Sequence, residues 1–231
     1  MTPRVLAFAA VGLLAAAVLH VATPARDARP AAAAAKRFAP FPKRLVATAP
    51  PVAPQTSASW ERVEQQLASV NAMWQPLFAA AGDRYEAPTL VPAGEDGCGA
   101  PSAAAGNWAG LYCTATRNIV IDLDSHATRH AATGGYVADV VLGYIVAHEV
   151  GHHVQTLRGA PRTDPGPRVE LHADCLAGVW GRAAGLPLPP TWKYASDAEH
   201  GTAAQRMRWL ARGHLHGRPA DCDTIWAGEP L

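Results

Sequence analysis

Charge is scarce in this 231-residue chain. Asp, Glu, Lys and Arg together make up 17% of it, and 20 basic groups against 19 acidic ones leave a formal net charge of +1. That balance removes the electrostatic basis for nucleic-acid binding. No basic run interleaved with aromatics is present either. Cysteine is limited to four residues, none of them in a CxxC pair, which excludes a zinc ribbon or a thioredoxin-type motif. Internal repeats are absent. The shortage of charge also excludes charge-driven disorder of the chain as a whole. The 49% of apolar residues is ample for a core.

The one long apolar run lies at the start. Val5 to Leu19 follows Met1-Thr2-Pro3-Arg4 and ends softly near Ala22, with small residues at Thr23-Pro24-Ala25. Residues 1–25 therefore read as a secretory signal or a membrane anchor, the run being somewhat short of the about 20 residues of a span. Arg26, Arg29, Lys36 and Arg37 come after the run and favour a cytoplasmic location for its C-terminal side. The cysteines favour an oxidising exterior, and an extracytoplasmic domain, secreted or anchored, is the expectation. Residues 26–56 are rich in Ala and Pro and read as a disordered, semi-extended tether. The folded domain is expected over 57–231, with the N-terminal segment as its one contact with a membrane.

Within that domain, Val63, Leu67, Val70, Trp74, Leu77 and Phe78 recur at helical spacing after Ser59-Trp60-Glu61, and Gly82 closes the helix. Pro88 to Gly99 reads as loop. Asn118 to Asp124 alternates, with Ile119, Ile121 and Leu123 on one face, and predicts a strand. Tyr136 to Leu157 is a long helix, apolar around its girth and therefore buried, and ends at Gly159. Residues 160–167 form a loop. Val169 to Ala183 predicts a second buried helix, broken by Leu186 to Pro190. Thr202 and Gln205 form a capping box for a last helix running to about Arg212. The fold class is α+β, mainly helical with a small sheet.

The chemistry sits in the second half of the long helix, at His148-Glu149-Val150-Gly151-His152. This is the HExxH pattern. Residues four apart share a helix face, so His148 and His152 can present imidazoles to one metal ion. Glu149, one position on, can reach a water at that metal and take its proton. A catalytic zinc takes three protein ligands and keeps one open position. The following helix offers Glu170 as the third ligand. Asp174, one turn later on the same face, can accept a hydrogen bond from a ligand histidine and fix its tautomer. Those carboxylates could also be the acidic start of an exposed helix. His172 lies about 200° round that helix from Glu170 and is not a ligand candidate. His153, about 100° round from His152, reads as a histidine behind the site or on the surface. Gly151 leaves room for another backbone to approach the metal face.

These stretches carry a family likeness. The chain resembles the bacterial neutral zinc metallopeptidases, a gluzincin-like group with an HExxH…ExxxD motif and a single N-terminal hydrophobic segment. The stretch 69–91 resembles that family's first helix and the strand after it, and 97–124 its paired-cysteine and strand region. YIVAHEVGHHVQTLRG (144–159) and VELHADCLAGVWG (169–181) resemble its metal-binding helices, and 199–224 its C-terminal signature. The resemblance implies a zincin-like metallopeptidase domain, one Zn2+ per chain on His148, His152 and Glu170, Glu149 as acid/base, and peptide-bond hydrolysis. The family's THGSSEQR-like segment stands here as Glu199-His200-Gly201-Thr202-Ala203-Ala204-Gln205-Arg206, a departure that bears on substrate preference. His200 is the candidate oxyanion partner by its place in that segment, with Tyr136, Tyr144 and Arg206 as alternatives. Disulfides Cys98–Cys113 and Cys175–Cys222 fit the same picture. The first would close a Gly/Ala/Ser-rich loop, and the second would pin the C-terminal tail to the metal-bearing helix. A buried free thiol is the other reading of Cys175.

The expected activity is hydrolysis of a peptide or protein substrate, with the 118–124 strand holding it by β-addition. Two other functions use the same residues: a zinc-stabilised binding or scaffold protein without turnover, and a cell-wall peptide amidase.

Overall fold

The computed structural model describes residues 38–50, 60–92, 109–124, 127, 132, 135–161, 167–190 and 197–231. The N-terminal segment 1–25, Ser59 and residues 93–108, Cys98 among them, lie outside the described residues. Helix α1 (Trp60–Ala80) buries Val63, Leu67, Val70, Trp74, Leu77 and Phe78 on one face and ends before Gly82, whose φ of 80° only glycine adopts freely. Three short strands follow: β1 (Thr89–Pro92), β2 (Gly110–Cys113) and β3 (Asn118–Ile121). They form one sheet in the order β1-β3-β2, with β1 parallel to β3 and β2 antiparallel to it. Helices α2 (Gly135–Arg158), α3 (Arg168–Ala183) and α4 (Ala203–His216) complete the main framework. A short helix α5 (Pro219–Cys222) and a 3-10 turn (Asp223–Ala227) close the chain. The architecture is mainly helical with a small mixed sheet, consistent with a zincin-like domain.

Three sequence expectations change. Part of the stretch read as loop is strand β1, which pairs along β3 from Thr89 opposite Asn118 to Pro92 opposite Ile121. Its parallel partner lies far along the chain, so no local turn marks it. The 118–124 strand stops at Ile121, and β3 is central, with a neighbour on each side. It cannot take an added substrate strand, because both its edges are already paired. Among the described strands the edges of the sheet belong to β1 and β2.

The third change concerns the expected tether. Residues 38–50 lie along the folded domain as a strap. The Phe41 ring is buried against Trp74 and Phe78, with ring centroids 5.6 and 5.5 Å away. The guanidinium of Arg158 lies 4.2 Å over the same ring and donates to the Pro40 carbonyl at 2.9 Å. Phe41 N donates to Asp223 at 2.8 Å, Ala47 N donates to Gly217 O at 2.9 Å, and the Pro50 carbonyl accepts from Ser69. Proline-rich chain is already extended, so ordering it costs less entropy than ordering an average segment. One buried aromatic and several hydrogen bonds are enough to seat it.

Backbone contact sets the spacing of α3 and α4. A Cβ on Gly178 would lie 2.0 Å from Leu210 O, and one on Gly213 would lie 1.9 Å from Cys175 O. Only glycine allows this crossing. The expected capping box is formed: Thr202 accepts from Gln205 N at 3.2 Å, and Gln205 accepts from Thr202 N at 2.8 Å. It fixes the start of α4, one turn before Arg206.

Candidate metal centre

Helix α2 is buried along nearly its whole length, so its second half carries polar side chains into the interior. It crosses α3 at Gly151, where a Cβ would meet Ala173 Cα at 3.0 Å. The close approach sets Glu170 and Asp174 of α3 opposite His148 and His152 of α2.

Three donor atoms converge there. His148 Nε2 is 3.1 Å from His152 Nε2 and 3.1 Å from Glu170 Oε2, and His152 Nε2 is 3.4 Å from Glu170 Oε2. The other ring nitrogens are committed. His148 Nδ1 donates to Asp174 Oδ1 at 2.9 Å. His152 Nδ1 faces Gln155 Oε1 at 3.0 Å. Gln155 must turn its amide nitrogen to the Val169 carbonyl, 2.6 Å away, so the oxygen facing His152 accepts. Both histidines therefore commit Nδ1 as a donor and turn Nε2 to the cluster as the nitrogen that could bind a metal.

Two imidazole nitrogens and a carboxylate oxygen crowd together only with a positive charge among them, and without a metal that charge is a proton on His148. Burial works against a charge on His148, yet its hydrogen bonds to Asp174 and Glu170 and their charges outweigh this and push its pKa up to about 10. Burial likewise disfavours the Glu170 anion, but the two histidines hold its carboxyl far below the usual range. The cluster is built for a cation. A tetrahedral zinc with Zn–N and Zn–O bonds of about 2.0–2.1 Å separates its ligand atoms by about 3.3 Å. The three observed separations match that edge length, so these residues fit zinc.

Glu149 lies beside the cluster and is buried. A Cβ on Gly110 of β2 would sit 2.9 Å from Glu149 Oε1, so the edge strand passes the carboxylate without a side chain between them. Burial raises the Glu149 pKa, against the pull of His148 and His152. Asp174 is fully enclosed. Burial disfavours its charge, and hydrogen bonds from Arg206 and His148 more than compensate, so its pKa is lowered. Arg206 grips it with Nε to Oδ2 and Nη2 to Oδ1, both at 2.8 Å.

His200 stands at the rim, 30% exposed, with Nε2 3.8 Å from Glu170 Oε2. Asp197 holds its ring by a 2.9 Å bond from Nδ1. The alternatives for an oxyanion partner are placed elsewhere. Arg206 is committed to Asp174, Tyr144 donates to the Pro187 carbonyl, and Tyr136 is an exposed residue at the start of α2. His153 is buried behind the site, between Tyr112 of β2 at 3.1 Å and the Glu86 carbonyl at 2.6 Å. It ties the edge strand to α2. Cys175 is bonded to Cys222, which fastens the C-terminal tail to α3 next to Asp174. Cys113 is disulfide-bonded, and Cys98, its expected partner, lies outside the described residues.

Sequence reasoning did not assign Gln155, Asp197 or Gly110, and it offered Arg206 only as an oxyanion partner. Gln155 follows His152 by three residues and Asp197 precedes His200 by three, so helical or turn spacing carries a signal for both. Gly110 and Arg206 reach the site from other elements and leave no local signal.

Comparison with known proteins adds the family. A family profile described as "Putative neutral zinc metallopeptidase" matches residues 39–163. The chain is 32% identical over 201 residues to a protein of Escherichia coli strain K12 named "Uncharacterized protein YpfJ", an alignment covering 69% of each chain. It is 31% identical over 211 residues to "Uncharacterized protein Mb2605" of Mycobacterium bovis, covering 70% of this chain and 69% of the other. No solved structure matches.

Proposed function

The chain belongs to this family of neutral zinc metallopeptidases, and from that premise we propose that it hydrolyses peptide bonds in peptide or protein substrates on the oxidising side of the cytoplasmic membrane. The observation that carries the reading is the convergence of His148 Nε2, His152 Nε2 and Glu170 Oε2 at zinc-edge spacing, with Glu149 next to them. The buried Cys175–Cys222 disulfide supports the oxidising compartment.

His148, His152 and Glu170 would hold one zinc. When bound, zinc supplies a Lewis acid that acidifies water and polarises a carbonyl oxygen. Glu149 takes a proton from the attacking water and returns it to the leaving amine. Among the described residues no hydrogen-bond partner holds its carboxylate, and burial raises its proton affinity towards that task. Asp174, held by Arg206, keeps His148 in the ligand tautomer. His200, its ring steadied at Nδ1 by Asp197, turns Nε2 towards the cluster and would be the donor to the oxygen that gains charge. Strand β2 offers its edge to an extended substrate beside Glu149, while Gly110 leaves the approach clear.

The test is cleavage of an unfolded protein, and separately of purified cell-wall peptide, by the zinc-loaded full chain with Glu149→Gln in parallel. Protein cleavage by the parent alone is expected. Cleavage only of wall peptide would move the assignment to an amidase. Stoichiometric zinc without turnover on either substrate would favour the scaffold, and turnover surviving Glu149→Gln would remove Glu149 from its role.

A further inference from the structure

Behind His152 runs a buried chain of hydrogen bonds that the proposed hydrolysis does not use. Gln155 Oε1 accepts from His152 Nδ1. Its amide nitrogen donates to Val169 O and faces His172 Nδ1 at 3.1 Å. His172 Nε2 faces Asp223 Oδ1 at 3.2 Å, and the other oxygen of Asp223 accepts from Phe41 N at 2.8 Å. Gln155, His172 and Asp223 are at most 8% exposed. Each link fixes the next. The Val169 carbonyl sets the Gln155 flip, and His172 must then accept at Nδ1 and donate at Nε2 to the carboxylate. A side-chain amide in place of that carboxylate would present a donor to either His172 or Phe41 and break the sequence. The chain begins at a zinc-facing histidine and ends on the backbone of the strap, whose Phe38 also packs on Trp226 beside His172.

We infer that Gln155, His172 and Asp223 are positioning residues that hold His152 in its metal-binding tautomer and couple it to the strap at Phe41, so that zinc binding and strap docking reinforce each other. The inference rests on the proposed zinc site. Hydrogen-bond partners of ligand histidines typically change metal affinity about 10–100-fold when removed. Coupling of this kind is reciprocal: if the strap favours zinc, zinc must favour the strap.

The experiment uses the full chain and two readouts: zinc affinity by competition with a chelator, and hydrogen exchange at the Phe41 amide with and without zinc. The variants are Asp223→Asn and Gln155→Leu, with Val70→Ala as a control that loosens the α1 core away from the site. In the parent, zinc should slow exchange at Phe41. Asp223→Asn and Gln155→Leu should weaken zinc about 10–100-fold and abolish that slowing, while Val70→Ala preserves both. Affinities within about threefold of the parent, an equal loss in Val70→Ala, or no effect of zinc on Phe41 in the parent would overturn the coupling. Should Asp223→Asn fail to fold, Gln155→Leu decides. A parent that binds no zinc would instead overturn the proposed function, a different result from a zinc-binding parent with unaffected variants.

Discussion

The two halves of α2 are equally buried and chemically opposite. From Ala138 to Ala147 the helix is almost wholly apolar, and the side chains of its neighbours pack against it directly; a Cβ on Gly143 would lie 2.7 Å from the Trp180 ring. Its one buried charge, Asp139, pairs with Arg62 at 3.4 Å. From His148 to Arg158 the same helix buries His148, Glu149, His152, His153, Gln155 and Arg158. Five of these six find specific partners on the sheet, on α3, on the segments around the helix or, for His152, also on the helix itself. Glu149 is the exception, and it is the residue proposed to act on the water. Burial alone does not mark function. A buried carboxylate without a hydrogen bond beside a cluster of candidate metal ligands is the stronger pointer.

The largest break in this contrast comes from removing a ligand. His152→Ala should abolish stoichiometric zinc binding and turnover together, checked by metal analysis of the purified chain. Glu149→Gln should lower turnover by about 10²–10⁴-fold while zinc stays bound, which separates the unpartnered residue from its neighbours. Reduction of Cys175–Cys222, which closes a 47-residue separation, should cost about 4 kcal/mol in the chain-entropy account and lower the melting temperature of the full chain. It frees the tail that carries Asp223, so zinc affinity should fall with it. The apolar half gives the smallest effect and the cleanest contrast. Gly143→Ala should destabilise by about 1–3 kcal/mol through overpacking against Trp180, seen in denaturant unfolding, with zinc affinity per folded molecule unchanged. A loss of zinc affinity in Gly143→Ala equal to that in the polar half would erase the distinction between the two.

Much of this was legible in the sequence because it is local. The 3.6-residue period placed α1, α2 and α3 to within a residue or two, and the Thr202–Gln205 pair marked the start of α4. Spacing of four residues put His148 with His152 and Glu170 with Asp174 on common faces. The strap was not legible. Its Ala/Pro composition argues for a tether, and only the pocket formed by Trp74, Phe78 and Arg158 gives Phe41 a reason to dock. Strand β1 was implied only by the family resemblance; its own residue pattern reads as loop because its pairing with β3 is parallel and nonlocal. Arg206 is a charged residue on an amphipathic helix until α3 and α4 meet at Gly178 and Gly213 and carry it onto Asp174.

The sequence by itself determined which side chains could share a metal, because helical periodicity is a property of the backbone and needs no partner. It also placed a carboxylate, the proposed general base, one residue from the first candidate ligand. The tertiary structure decided the rest: that Glu170 closes on the two histidines at the edge length of a zinc tetrahedron, that Arg206 and Gln155 hold the outer faces of the site, and that the N-terminal strap ends its own hydrogen bonding in the same network. Those arrangements depend on how closely two helices cross, and that distance is set by what the glycines at the crossings leave out.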